Sequence, residues 1–359
     1  MQYESFHPGQ PWLDTNGKRI HAHGGSIFYE NGRYYWYGEN KEKTTGLDSI
    51  WHWGIRCYVS SDLYNWDDLG LIIPPEPDNP ASTLYPSKCV DRPHIIYNRK
   101  TGKYVCWLKV MSVGCTVLTA DALLGPYTVV HEGLWPLGME PGDFDLAVAP
   151  DGKAYYFFER VHSELICADL TDDYTNVTGY YSTHFPRLGP PYTREAPAHF
   201  IRKGKHYLLT SGTTGYFPNP SELAIADTWH GPYRVLGDPH PTDDTRTSFH
   251  SQISSVFRVP GKKDLYIALA DRWLPQRMSL SYEKYRLLFE RGFGSNPNAV
   301  YTPQQQKETL DIGIKNTVLA DYVWLPLRFD GEMAYIDWLD AWRLEDYEKA
   351  AFVTVLRNL

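Results

Sequence analysis

The sequence of 359 residues lacks an apolar run long enough to cross a membrane, and it lacks a cluster of basic residues. Its opening residues, MQYESFHPGQPW, have neither the charged start nor the apolar stretch of a secretory signal. The formal net charge of −8 is unfavourable for binding nucleic acids or anionic membrane surfaces. We therefore expect a cytoplasmic protein whose partner is neither a nucleic acid nor a membrane.

Cysteine is scarce and follows no metal-binding pattern. The five cysteines lie at uneven intervals, mostly in apolar segments, and none has the CxxC or Cys/His spacing of a zinc site. Histidines such as His21, His23, His52, His199 and His250 are equally scattered. The sequence predicts reduced, buried thiols, no required cofactor and no metal ligand that can be named.

A repeated phrase dominates what the sequence does contain: an apolar strand, a tight turn with glycine and an aromatic-rich strand. Such turns need residues that tolerate positive φ, so each phrase predicts a β-hairpin. The repeats are about 50 to 70 residues apart, as expected for one four-stranded sheet per repeat. We predict an all-β fold, a single five-bladed β-propeller over residues 1–359. The turn glycines are Gly32, Gly102, Gly152, Gly204 and Gly261.

The last blade departs from the others. A hairpin with its turn at Asp330-Gly331 completes the ring, and residues 275–316 form an insertion before it. Part of the insertion, SLSYEKYRLLFERGFG, has the periodicity of a short amphipathic helix. We interpret this helix as surface decoration in preference to a cap over the central funnel or a subunit contact. We expect no appended carbohydrate-binding module.

Polar residues recur just before the first hairpin of successive blades, where the innermost strands of a propeller converge. Hydrolysis of a glycosidic bond by the inverting route needs a protonated acid and, across the bond, a base that activates water. Carboxylates on different blades can supply that separation, although each of them could instead form an ion pair with a neighbouring arginine. The segments are Val90-Asp91-Arg92-Pro93, Gly142-Asp143-Phe144-Asp145, Arg194-Glu195-Ala196-Pro197 and His250-Ser251-Gln252.

Several motifs together resemble glycoside hydrolase family 43, and in particular its exo-β-1,3-galactanase-like branch. The likeness extends from about Trp12 to Leu344 and implies a propeller that hydrolyses oligosaccharides. It is carried by Ala22-His23-Gly24-Gly25, Tyr34-Tyr35-Trp36-Tyr37-Gly38-Glu39, Asp91-Arg92-Pro93, Arg194-Glu195-Ala196-Pro197 and Asp271-Arg272-Trp273.

The resemblance implies catalytic roles for three residues. Glu195 matches the general acid, which must stay protonated near neutral pH, so the adjacent Arg194 is expected to point away from it. Asp91 matches the residue that orients the acid and tunes its pKa. The usual aspartate base of the first blade is absent, and Gln252 matches the glutamine proposed to hold the water, or alternatively only hydrogen-bonds the substrate.

The resemblance also implies residues that bind the terminal sugar. The carboxylates and hydroxyl at Glu39, Asp143 and Thr214 match sugar-contacting positions. Strand alternation places Asp143 and Asp145 on one face, so only the family match selects Asp143. Aromatic faces for stacking are expected from Trp51, Trp53 and Tyr216.

One departure limits the choice of substrate. Galactanase-like sequences have a sugar-contacting asparagine in the segment after the third-blade turn, and it is missing from the corresponding residues 158–164 of this chain. The leading interpretation is an exo-acting, inverting hydrolase that releases terminal galactose from β-1,3-linked galactan or arabinogalactan oligosaccharides. The alternatives are an α-L-arabinofuranosidase, a β-D-galactofuranosidase or a sugar-binding propeller without activity. The family likeness also leaves room for a structural calcium ion.

Overall fold

The computed structural model describes residues 2–46, 49–279, 281–305 and 316–350. Within these residues the chain forms five antiparallel sheets, one from each predicted repeat. The first sheet contains β1 (His23–Glu30), β2 (Arg33–Glu39), β3 (Ile55–Ser60) and β4 (Asp67–Ile73). The second contains β5 (Val90–Asn98), β6 (Lys103–Val110), β7 (Gly114–Ala120) and β8 (Thr128–Leu134).

The remaining sheets continue the pattern, and the last includes a short extra strand. The third contains β9 (Pro141–Val148), β10 (Ala154–Arg160), β11 (Glu164–Leu170) and β12 (Val177–His184). The fourth contains β13 (Arg194–Arg202), β14 (Lys205–Gly212), β15 (Glu222–Ala226) and β16 (Arg234–Gly237). The fifth contains β17 (Gln252–Arg258), β18 (Tyr266–Arg272), β19 (Asp321–Tyr322), β20 (Leu325–Asp330) and β21 (Met333–Ile336).

The sheets close into a ring. Each first strand contacts the first strand of the next sheet, from β1 through β5, β9 and β13 to β17, and β17 contacts β1. The predicted five-bladed β-propeller is therefore confirmed. The hairpin turns form as expected, for example at Asn31 and Gly32, whose φ angles of 51° and 79° fit a two-residue hairpin loop.

Aromatic packing joins the last blade to the chain's first residues. Phe6 stacks on Trp342 with ring centroids 4.1 Å apart, and the two residues also form a β-bridge. Trp12 packs edge-on against Trp324 of the fifth blade and contacts Trp36 of the first blade. These buried rings hold together the two blades at which the ring closes.

The insertion in the last blade contains the predicted helix, α1 (Tyr282–Phe293). Its predicted apolar face is buried, and Gly294 ends it in the left-handed conformation with φ of 63°. Short 3₁₀ turns also occur at Pro136–Gly138, Pro275–Arg277 and Leu344–Asp346. Residues 306–315 of the insertion lie outside the described residues. In the described ranges, no helix is long and apolar enough to span a membrane.

Candidate active site

The innermost strands share an irregularity at their first residues. Pairing to the second strand shifts within residues 23–26 of β1, 91–94 of β5, 195–198 of β13 and 253–255 of β17. Gly24, Arg92 and Ala196 have positive φ angles of 62°, 55° and 50° at these points. A bulge breaks the strict alternation of side chains and re-aims them. This is the local reason why polar residues at the same phase of each repeat converge.

They converge on one cavity of about 390 Å³, within the size range of small-ligand sites. Its wall combines buried charged groups with aromatic and aliphatic side chains. The polar part is formed by Glu39, Asp91, Arg92, Lys109, Glu140, Asp143, Glu159, Glu195 and Gln252. The apolar part includes Met111, Val161, Tyr216, Trp273, Phe289 and Phe293.

Glu195 has the protonation behaviour required of a general acid. Its carboxyl is buried, and burial raises its pKa well above the usual range, with further increases from the negative charges of Asp143 and Glu159. Arg194 points away as predicted, because its guanidinium donates to the Thr210 hydroxyl (2.9 Å) and carbonyl (2.7 Å). Glu195 therefore keeps its proton near neutral pH.

Asp143 has cationic neighbours that favour its ionised form, in contrast to Glu195. Lys109 Nζ donates to Asp143 Oδ1 at 2.6 Å, and Arg92 lies 3.0 Å from Oδ2. Although burial acts in the other direction, these two cations lower the pKa of Asp143 to about 2. Two carboxyls of one cavity are thus separated into a protonated acid and a permanent anion, an arrangement typical of acid catalysis.

Asp145, the alternative to Asp143, serves the packing between blades. It lies 3.1 Å from His94 Nδ1 and accepts a hydrogen bond from the His199 backbone at 2.7 Å. Of the two carboxylates only Asp143 lines the cavity, and its contact with sugar stays a prediction.

Gln252 links the acid to the rest of the site. Its amide nitrogen donates to Ser211 Oγ (2.9 Å) and to Glu195 Oε1 (3.2 Å). Its carbonyl oxygen accepts from Arg92 (2.8 Å) and from the Trp273 indole (3.2 Å). In the imidic tautomer, the form in which a glutamine could act as a base, this oxygen would carry a proton. Arginine and tryptophan can only donate hydrogen bonds, so their bonds to the oxygen favour the ordinary amide. The role of Gln252 as base stays a prediction.

Glu39 occupies space that the first blade leaves open. A Cβ added at Gly24 would lie 2.6 Å from Glu39 Oε1, which accepts a hydrogen bond from the Arg92 backbone at 3.0 Å. Lys41 Nζ lies 2.8 Å from Oε2. Burial raises the pKa of Glu39 to about 7 despite Lys41. On the blade that lacks the family's aspartate, the carboxyl of Glu39 from β2 therefore lies at the cavity.

Asp91 lines the cavity as predicted, with its own set of donors. The Trp51 indole donates to Asp91 Oδ1 at 3.0 Å, and Lys109 lies 3.3 Å from Oδ2. The carboxylates that contribute most to the raised pKa of Glu195 are Asp143 and Glu159, so tuning of the acid by Asp91 stays a prediction.

The predicted sugar-binding residues are only partly brought together. Tyr216 lines the cavity. Trp51 is not part of the cavity wall, and its ring centroid lies 5.6 Å from that of Tyr216. Trp53 does not line the cavity and packs under Lys43, whose Nζ lies 3.4 Å from the ring centroid. The sequence places Trp53 in a loop but does not indicate that Lys43 packs on its ring.

Thr214 also lies away from the cavity surface. Its side chain is fully buried, with the hydroxyl donating to the Phe217 carbonyl (2.6 Å) and accepting from Asn219 (2.7 Å). Its neighbours Thr213 and Gly215 line the cavity instead. Direct sugar contact by Thr214 and Trp53 is therefore not supported by this geometry, because their side chains are used in packing the loops.

The cavity residues that sequence reasoning missed include Lys109, Glu159, Trp273 as a partner of Gln252, and Phe293 of α1. The sequence gave no signal for Lys109: regular pairing of the β5–β6 hairpin would place Val110 opposite Asp91, and the bulge between Asp91 and His94 places Lys109 there instead. The helix was interpreted as surface decoration, and that interpretation is wrong, since Phe289 and Phe293 form part of the cavity wall.

The sequence profile of the glycosyl hydrolases family 43 matches residues 18–275 of this chain, which include all of these catalytic candidates. The chain belongs to this family. It is a glycoside hydrolase, as its motifs and the acid geometry predicted. No curated protein matches the chain.

Solved structures support the membership. A family 43 β-1,3-galactosidase superposes with a TM-score of 0.77 at 28% identity, covering 97% of this chain and 65% of that protein. A second, solved with galactodeoxynojirimycin, gives 0.74 at 27% identity, covering 94% and 100% of the two chains. An exo-β-1,3-galactanase from Clostridium thermocellum gives 0.72 at 26% identity, covering 94% and 66%. The chain thus spans about two thirds of the first and third of these relatives.

The residues present do not fit the central ion that the family likeness allowed for. The buried His94 Nε2 has no hydrogen-bond partner, but His94 Nδ1 and both oxygens of Asp145 are already engaged. In the described part of this family 43 chain, no group of three or more histidine, cysteine or acidic side chains could hold a metal. No step of the reaction is therefore assigned to an ion.

The position of Glu39 gives a first testable prediction for this family 43 enzyme. We expect Gly24→Ala to lower kcat/KM by at least tenfold, because the new Cβ displaces Glu39, and to destabilise the fold by about 1–2 kcal/mol through its positive φ. Gly32→Ala is the matched control, since Gly32 has φ of +79° but open space around it. Urea midpoints and kinetics of both variants check this. Equal activity in the two variants would contradict a role for Glu39.

Proposed function

We propose that the protein is an exo-acting, inverting hydrolase that releases terminal galactose from β-1,3-linked galactan or arabinogalactan oligosaccharides. The observation that carries the proposal is the buried Glu195, held protonated beside the anionic Asp143 in the wall of one cavity. Two of the similar structures are β-1,3-galactosidases and one is an exo-β-1,3-galactanase, which supports galactose as the terminal sugar.

In the proposed reaction, the terminal sugar lies against the buried polar wall, with Glu39 and Asp143 accepting hydrogen bonds from its hydroxyls. Glu195 transfers its proton to the glycosidic oxygen as the bond from that oxygen to C1 breaks. A water molecule attacks C1 from the opposite face, and the proton that it loses passes to solvent, which balances the later reprotonation of Glu195. The product has the inverted anomeric configuration, and Glu195 is left as a carboxylate to be reprotonated from solvent.

Gln252 is suited to couple the acid with the substrate. Its amide nitrogen lies 3.2 Å from Glu195 Oε1, and its oxygen is held by Arg92 and Trp273. A rigid amide at this point can orient the acid and a water molecule or a sugar hydroxyl together. Since both donors and both lone pairs of Gln252 are used in this structure, we propose that it holds the attacking water by exchanging one of these four hydrogen bonds when substrate binds.

A second candidate function has one observation in its favour. Glu159, in β10 after the third-blade turn, lies at the cavity. The galactanase-like sequences that this chain resembles have a sugar-contacting asparagine in this region. A carboxylate there changes the pattern of hydrogen bonds offered to the sugar. The alternative terminal sugars are α-L-arabinofuranose and β-D-galactofuranose.

The experiment that tests the proposal is proton NMR of reactions with β-1,3-galactotriose, an α-L-arabinofuranoside and a β-D-galactofuranoside. We expect galactose and galactobiose from the trisaccharide, with the α-anomer of galactose appearing first. Initial β-galactose would contradict inversion. A newly formed anomeric signal on galactobiose in place of galactose would show cleavage at the reducing-end bond and would contradict exo-action on the terminal sugar. Turnover of a furanoside alone would favour the second candidate.

A further inference from the structure

The cavity has a wall of a different character at its mouth. Met111 is 51% exposed and Phe293 49% exposed, and the His162 side chain is 41% exposed. By contrast, the cavity residues Asp143 and Glu195 are 7% and 9% exposed. The charged groups thus form the enclosed end of the cavity, and an apolar rim surrounds its opening.

Three separate segments build this rim. Met111 lies in the turn between β6 and β7, and His162 follows Val161 in the turn between β10 and β11. The Phe293 ring meets the His162 ring edge-to-face at 5.0 Å and lies parallel to Phe289 at 6.0 Å. The rim therefore combines side chains from the second blade, the third blade and α1.

Helix α1 is held firmly against the propeller. Tyr285 stacks on Phe217 at 4.2 Å, and the buried Glu290 accepts hydrogen bonds from Tyr192 and Arg286. Phe289 packs in the same buried cluster as Trp273, the partner of Gln252. The helix thus presents Phe293 at a fixed place beside the catalytic residues.

A buried carboxylate lies below the rim. Glu159 is 3% exposed, lines the cavity and accepts a hydrogen bond from the His162 backbone at 2.8 Å. A Cβ at residue 142 would lie 2.1 Å from Glu159 Oε2, so the position of this carboxyl depends on Gly142. Its oxygens supply acceptor capacity directly under the apolar surface.

We propose that Phe293, His162 and Met111, with Glu159 below them, form the binding site for the ring of the leaving group. This inference rests on the proposed function. If the terminal sugar fills the enclosed end, the rest of the substrate must extend through the mouth, on the side to which Glu195 delivers its proton. There Phe293 packs against an apolar ring face, and Glu159 accepts a hydrogen bond from a hydroxyl of the same ring.

The occupant has a definite chemistry. A β-D-galactopyranose ring has one face of C–H groups and hydroxyls at its edge, which suits an aromatic surface with a carboxylate beside it. An aryl leaving group offers the flat face without the hydroxyls. Both chemistries share the contact with Phe293, and only the sugar uses Glu159.

The test compares affinities in the Glu195→Gln background, where substrate stays intact, by titration calorimetry. We expect the added Phe293→Ala change to weaken binding of β-1,3-galactobiose about five- to tenfold and binding of galactose less than twofold. Phe293→Tyr keeps the ring and should retain most of the affinity. Lys284→Ala, on the exposed face of the same helix, is the matched control and should change neither value.

A second arm separates the two ligand chemistries. In the otherwise wild-type enzyme, Phe293→Ala should lower kcat/KM for both galactobiose and an aryl galactoside. In the Glu195→Gln background, where the pKa of the acid has no effect, Glu159→Gln should weaken binding of galactobiose more than binding of galactose. Equal weakening of galactose and galactobiose by Phe293→Ala, or no weakening of either, would overturn the proposal. Failure of the galactanase proposal would give a different result. The Glu195→Gln parent would bind no galactose, and the wild type would turn over an aryl furanoside. The effect of Phe293→Ala would then be measured on that furanoside.

Discussion

Replacement of Glu195 by glutamine lowers kcat for β-1,3-galactobiose by about 10²- to 10⁴-fold, the contribution typical of a general acid. The change removes the transferable proton while keeping an oxygen that can accept the hydrogen bond from Gln252. An aryl galactoside with a good leaving group should lose far less, because its phenolate departs without protonation. Steady-state kinetics on the two substrates measure the difference.

The pH dependence of activity provides a second test of Glu195 as the general acid. Glu195 acts in its protonated form, and burial with Asp143 and Glu159 raises its pKa, so wild-type activity on galactobiose should persist at neutral pH and fall as pH rises through that pKa. The alkaline fall should disappear from the aryl-galactoside profile of Glu195→Gln. Glu332→Gln, on an exposed turn, is the control. Equal losses on both substrates would contradict the role of acid.

Replacement of Asp143 by asparagine should destabilise the fold by about 3–5 kcal/mol, since it leaves two buried cations without their shared anion. Lys109 and Arg92 lie 2.6 and 3.0 Å from the two carboxylate oxygens, and all three side chains are largely buried. The loss of the negative charge should also lower the pKa of Glu195, which moves the alkaline limb of residual activity to lower pH. Urea unfolding and the pH profile test both parts.

An exposed pair provides the control for this prediction. Asp172 pairs with Lys100, but its side chain is 86% exposed, so Asp172→Asn should change stability by less than about 1 kcal/mol. Similar urea midpoints for the two variants would contradict the structural importance of the buried network. An unchanged alkaline limb in Asp143→Asn would show that Asp143 does not act on the acid.

Much of the architecture could be predicted because local chemistry determined it. Each hairpin needs residues with positive φ at its turn, and pairs such as Asn31-Gly32 supply them. The apolar face of α1 followed from helical periodicity. The shared phase of Asp91, Glu195 and Gln252 was visible because a propeller repeats one structural unit around an axis.

The details of the site depended on contacts between distant segments. Strand alternation treated Asp143 and Asp145 alike, and only the packing of His94 and His199 against Asp145 distinguishes them. Periodicity also does not reveal a bulge, although bulges aim Glu195 and its counterparts at the axis. The place of Phe293 at the cavity depends on how α1 docks, which its own sequence does not contain.

The measurement that tests the central claim most directly is the time course of galactose release from β-1,3-galactotriose by the wild type and by Glu195→Gln, at equal concentration. The account predicts steady release of galactose by the wild type and its near-complete loss in the variant, with both proteins folded. Wild-type protein that releases no galactose, or a variant that releases it at the same rate, would contradict the account.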